Sequence, residues 1–221
     1  MIESGILLGV DTCGTVGSVA LGRLSNGTIA VLGERQIAGG ELSVALVQEI
    51  AGLLAEAGMA VGDLAGIAAV AGPGSFTGIR IGLAAVKGLA EAANLPVVTL
   101  SRLALLANAA DAPTVVLDAH RGQFYCGMYG NGEAREMLLT AGEINTMGGL
   151  TGRVAVCEET VAQLLEELYG EPELIRVPPP RAAAALRFSL SKWQNGDLAD
   201  LALLDGYYLR GADAKISGRL G

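Results

Sequence analysis

Residues 6–11 read ILLGVD and residues 114–118 read TVVLD. Each is a short, continuous aliphatic run that closes on an aspartate, the pattern of a buried strand. Each is followed by a turn and a second apolar run, SVALG at 18–22 and FYCGMYG at 124–130. A motif that returns after about half the chain predicts two similar lobes, taken as residues 1–110 and 111–221.

Around the first copy the elements follow from turn chemistry and period. Apolar runs at 16–24 and 28–37 flank Ser25-Asn26-Gly27, and Asn-Gly is a strong hairpin signal, so the first 37 residues read as a three-stranded antiparallel meander. From Glu41 to Ala57, Leu42, Leu46, Ile50, Leu53 and Leu54 recur at helical spacing, with Gly58 where a C-terminal cap is wanted. Residues 66–71 read as a buried strand, 77–94 as a second helix and 95–100 as a strand introduced by Pro96. That order makes an α/β lobe, a mixed sheet flanked by helices. The second lobe continues with a helix over 159–169, the PPP run at 178–180 and a helix from Arg181 to Gln194 that stops before Gly196. The tail GYYLRGADAKISGRLG is expected to dock as a strand and then run loose.

Composition narrows the function classes. The formal net charge of −8 is spread unevenly: residues 1–100 hold 4 basic against 8 acidic side chains, 101–175 hold 4 against 11, and 176–221 hold 7 against 4. Nucleic-acid binding needs a basic footprint to displace counterions, so the chain alone is expected to be a poor RNA binder. Cys13, Cys126 and Cys157 are far apart and form no CxxC, which argues for a reducing, cytoplasmic location. Glu3 stands where a signal peptide needs basic residues, and the first apolar run ends at Asp11, far short of a spanning helix; no membrane segment is expected.

Asp11 leads into TCGTVGS, where a carboxylate beside backbone amides and hydroxyls could hold a hydrated metal ion or meet a nucleotide phosphate; it could equally cap its own turn. The segment AGPGSFTGIR at 71–80 places Gly72, Gly74 and Gly78 as GxGxxxG with no lysine behind them, which fits neither the P-loop nor the dinucleotide fingerprint. Asp11, Thr12, Gly72, Gly74 and Ser75 are the candidate nucleotide contacts, against a plain strand-to-helix turn capped by Ser75 or Thr77. On the helix behind, Gly78, Gly82, Ala85 and Leu89 fall on one narrow strip, and Ile79, Leu83, Val86 and Ala90 on the next. A strip of small residues admits a close neighbour, either the helix at 41–57 or helices of a partner. The lone histidine, His120, sits in the turn DAHRG and reads as an ordinary exposed turn residue; no metal site and no complete catalytic set is expected.

VDTCGTVGSVAL at 10–21, AGPGSFTGIRIGLAAVKGLA at 71–90, LDAHRGQFY at 117–125 and GYYLRGAD at 206–213 together resemble the TsaB (YeaZ) family, in order and from end to end. The resemblance implies the actin-like ATPase (ASKHA) superfamily fold, with two ribonuclease-H-like lobes. It implies a noncatalytic scaffold subunit that binds and activates a TsaD-type catalytic subunit and works with a TsaE-type ATPase in threonylcarbamoyl transfer to tRNA. Contact with tRNA would be indirect, through the complex. No intrinsic cofactor is implied, although ATP or ADP could lie at the partner interface. The two N-terminal helices would form a bundle with the partner, which assigns Leu46, Ile50, Gly78, Gly82, Ala85 and Leu89 to the interface; the same face would let the isolated chain homodimerise. The family often opens the first of these helices with His-Ser or His-Thr, where this chain has Gly39-Gly40-Glu41-Leu42-Ser43. The alternative is a small actin-like ATPase or phosphotransferase using Asp11 and the loop Gly72 to Ser75.

Overall fold

The structure, a computed structural model, describes residues 2–130, 134–170 and 172–209. Strands β1 (Gly5–Asp11), β2 (Val16–Ser25) and β3 (Thr28–Ala38) form the expected meander, turning through Asn26 and Gly27 at positive φ. Helix α1 (Leu42–Glu56) is entered by a 3-10 turn at Gly39–Glu41 that has no side-chain cap. The backbone anchors this entry instead, since the Gly39 N–H donates to Thr15 O at 3.1 Å. Past the helix, Gly58 at φ 67° lets the Met59 N–H reach Leu54 O at 2.9 Å. Strand β4 (Leu64–Gly72) runs parallel to β1, and helix α2 (Phe76–Ala93) ends on left-handed Asn94 and leads to β5 (Val97–Ser101), parallel to β4. The sheet order is β3-β2-β1-β4-β5. Helices α1 and α2 lie side by side on one face. Arg35 of β3 ties α1 down, bonding Glu49 at 2.7 Å and Glu56 at 2.5 Å.

The second sheet repeats this plan. After α3 (Arg102–Ala110) come β6 (Thr114–Asp118), β7 (Gln123–Met128), β8 (Arg135–Thr140), α4 (Ala141–Thr146), β9 (Arg153–Val156), α5 (Glu159–Tyr169) and β10 (Glu173–Arg176). Read from its antiparallel edge, the order is β8-β7-β6-β9-β10, the same topology as the first sheet. The central strands β6, β7 and β9 are buried on both faces. Val115 and Leu117 join Leu103 and Leu106 on one side; Val116 and Val154 join Val161 and Leu165 on the other.

Helices α6 (Ala182–Phe188) and α7 (Leu190–Asn195) divide at Ser189, where one uninterrupted helix was expected. The break is held by side chains: Ser189 Oγ donates to Leu186 O at 2.6 Å and accepts the Trp193 indole N–H at 2.9 Å. Both helices return to the first sheet. The Ala182 N–H donates to Ser18 Oγ at 2.9 Å and the Ala183 N–H to Glu34 Oε1 at 2.8 Å, so the sheet caps a helix that has no cap of its own. Among the described residues, those up to 102 form one compact unit with 181–207, and 103–180 form the other with the residues that follow 207, in place of the expected division at 110. The difference arises because α6 packs on β1 and β2, while Leu103 and Leu106 of α3 belong to the second core. The expected strand in the tail is not formed at 206–209, although the Tyr207 N–H donates to Ala71 O at 2.7 Å; residues 210–221 lie outside the described residues.

Candidate functional site

The end of β1, the loop after β4 and the start of α2 converge. Asp11 is 3% exposed, and its Oδ1 accepts the Cys13 N–H at 2.9 Å, so the carboxylate caps its own turn. Burial pushes the Asp11 carboxyl above its ordinary value, with the Arg102 guanidinium and the Cys13 amide opposing. Cys13 is buried too, and its thiol is pushed well up by the same burial and by the Asp11 charge.

The loop leaves β4 through a cis Gly72–Pro73 bond. The Ser75 N–H donates to Cys13 O at 2.8 Å, and Ser75 Oγ accepts the Gly78 N–H at 3.2 Å, making Ser75 the N-cap of α2. A Cβ on Gly74 would collide with Cys13 O, and one on Gly72 would lie 2.7 Å from Tyr207 O. Of the five candidate nucleotide contacts, Asp11, Thr12 and Gly72 are buried, Gly74 is half-buried and Ser75 is exposed. The amides of Cys13, Ser75 and Gly78 all donate to partners within the chain.

The small strip of α2 is placed differently from the expectation that a partner fills it. A Cβ on Gly78 would run into Thr12 O, and one on Gly82 into the Thr12 side chain, with Thr12 Cβ and Cγ2 3.1 Å away. These glycines seat α2 on the end of β1. Leu46 and Ile50, also expected at the interface, are 1% and 2% exposed and fill the core beneath α1. Ala85 and Leu89 are half-buried.

What the helices show to solvent is a different set. On α1, Val44 is 71% exposed and Val47 56%, followed along the same face by Ala51 and Ala55; on α2, Phe76 is 54% exposed and is followed by Arg80, Ala84 and Gly88. Arg80 stacks its guanidinium 3.9 Å from the Phe76 ring centroid. At about 100° per residue, Val44, Val47, Ala51 and Ala55 lie on average about 150° around the helix from Leu42 and Leu46, so α1 carries a second apolar stripe away from its core face. That outward stripe was the sequence signal for this surface.

In the second unit, Asp118 Oδ1 accepts the His120 N–H at 2.7 Å and the Asp118 N–H donates to Glu158 Oε2 at 2.8 Å. His120 is 85% exposed in its side chain, with Nδ1 3.0 Å from Asp118 Oδ2, on a turn where His120, Arg121 and Gly122 all have positive φ. It is a turn histidine, as its context implied.

The TsaD family model, described as tRNA N6-adenosine threonylcarbamoyltransferase, matches residues 36–186. The chain is 37% identical over 91 residues to the tRNA threonylcarbamoyladenosine biosynthesis protein TsaB of Bacillus subtilis, an alignment covering 39% of this chain and 40% of the relative. It is 32% identical over 129 residues to the protein of that name from Escherichia coli, covering 56% of this chain and 54% of the relative. These alignments span about half the length of the curated relatives, or less. YeaZ from Pseudomonas aeruginosa superposes with a TM-score of 0.73 at 28% identity, over 93% of this chain and 100% of that one. A second Pseudomonas aeruginosa structure, of an uncharacterized protein with similarity to peptidase YEAZ, gives 0.75 at the same identity and coverage. With its duplicated mixed sheets in the actin-like, ribonuclease-H-like arrangement, the chain belongs to the TsaD family and, among its members, to the TsaB (YeaZ) group.

Proposed function

We propose that this chain is a noncatalytic subunit in tRNA threonylcarbamoyladenosine biosynthesis that docks on a tRNA N6-adenosine threonylcarbamoyltransferase through the outer faces of α1 and α2. The observation that carries this reading is the set of exposed large apolar side chains, Val44 and Val47 on α1 and Phe76 on α2, carried by two helices that pack against each other. Large apolar side chains grouped on one surface, with Ala51, Ala84 and Gly88 among them, favour close helix-on-helix packing over solvation. In this reading the transferase supplies the chemistry and reaches the tRNA, a TsaE-type ATPase joins the assembly, and any nucleotide lies at the partner interface.

The ATPase reading has less geometric support. Its carboxylate, Asp11, already accepts an internal amide, and the amides at Ser75 and Gly78 already have acceptors. The test is size-exclusion chromatography of the chain mixed with the transferase of its own organism. Val47→Asp places a charge in the docking face and is expected to abolish co-elution while leaving the melting temperature within a few degrees of native. Co-elution unchanged by Val47→Asp and by Phe76→Ala would refute this surface. Titration of the isolated chain with Mg-ATP, expected to show no tight binding, separates the two readings.

A further inference from the structure

Thr12 is buried between β1 and β2, with its carbonyl under Gly78 and its side chain under Gly82, one turn further along α2. Neither glycine has room for a methyl group, so this single residue limits how near α2 approaches the sheet at two points and how the helix is rotated. Phe76, Arg80 and Ala84 project from the opposite side of the same helix. A helix moves as a rigid rod over this length, so a shift at its seat reappears at its outer face.

We propose that Thr12 is a positioning residue for partner docking: it sets the height of α2 so that Phe76 and Ala84 align with Val44 and Val47 of α1. This inference rests on the docking reading above. It assigns Thr12 a role that is neither nucleotide contact nor partner contact.

The test is a cycle of Gly82→Ala, Thr12→Ala and the double variant in the full chain. Thr12→Ala removes the Oγ1 and Cγ2 atoms that crowd Gly82, leaving Cβ 3.1 Å from the new methyl. Two readouts are taken. One is affinity for the transferase by calorimetry. The other needs no partner: the distance between spin labels at V47C and G88C, in a C157S background.

Gly82→Ala is expected to shift the label distance and weaken binding about tenfold. The double variant is expected to return both toward native, even though its melting temperature stays depressed. A merely structural role would let binding follow stability and leave the double variant no better than Gly82→Ala; that result overturns the proposal, as does an unchanged label distance in Gly82→Ala. If Gly82→Ala alone does not fold, Thr12→Ala takes its place, since α2 should then settle toward β1 and move the labels; a fixed distance there overturns the proposal. Distances that move and recover, beside a native chain that does not bind the transferase, would overturn the docking reading and uphold the control of helix position.

Discussion

Asp11 illustrates how burial and local bonding decide what a conspicuous carboxylate does. Desolvation raises its pKa, with Arg102 and the Cys13 amide opposing. An acid whose folded pKa exceeds its unfolded value holds its proton more tightly in the native state. The stability it confers is therefore present at low pH and is lost as pH climbs from the ordinary carboxylate value through the raised one. Asp11→Asn keeps an oxygen for the Cys13 amide and removes the charge. We expect the melting temperature of the variant, relative to native, to rise as pH climbs above the ordinary carboxylate value of about 4; a constant difference would mean that Asp11 does not titrate across the transition. The cysteines give a second residue-scale test. Burial pushes the Cys126 thiol up to about 12, Cys13 lies well above its ordinary value, and Cys157 is half-buried. Thiolate is the reactive form. Iodoacetamide is therefore expected to modify Cys157 in the native chain, with Cys13 and Cys126 reacting after unfolding, as read by mass spectrometry of peptides.

At the scale of elements, local pattern revealed what local forces determine. The Asn26-Gly27 hairpin, the leucine spacing of α1 and the Ser75 cap of α2 all stand where turn chemistry and periodicity put them. What could not be read depended on distant contacts. The Gly78 and Gly82 strip signalled a close neighbour, but nothing nearby in sequence identified that neighbour as Thr12, across the sheet-to-helix junction. Leu46 and Ile50 marked the core side of α1, and a partner surface on this helix must be sought on the side of Val44 and Val47. The break at Ser189 has no glycine or proline to announce it; it depends on a serine shared between a carbonyl and an indole. Ser189→Ala should leave the fully buried Trp193 N–H without its acceptor and cost about 1–3 kcal/mol in urea unfolding. Adding Trp193→Phe, which removes the donor, should recover part of that loss. A double variant as unstable as the sum of the singles would show that the serine acts without the tryptophan.

For the whole molecule, duplication of a strand-Asp motif pointed to two lobes, and the two sheets share one strand order. The chain's route between them was hidden, because a short alanine-rich helix at 182–188 gives no sign of which sheet it will cover. It covers the first. By register, Leu7, Gly9, Ala20 and Ala68 share the face on which α6 packs, and a Cβ on Gly9 would lie 2.7 Å from Ala182 O and 2.8 Å from Leu186 Cγ. Residues 1–110 alone would therefore expose one apolar side of a five-stranded sheet and leave α3 without its core. Such a fragment lacks the burial that offsets chain entropy and is expected to bind a hydrophobic dye and to melt without a cooperative transition. Joining residues 181–207 to residues 1–102 through a flexible linker should restore a cooperative melt and abolish dye binding. The segment 103–180 has helices on both faces of its sheet and is expected to unfold cooperatively on its own. If instead the 1–110 fragment unfolds cooperatively with a native near-ultraviolet signal, the returning helices are a covering added to a lobe that is already complete. Their capping by Ser18 and Glu34 would then contribute to the stability of α6 alone.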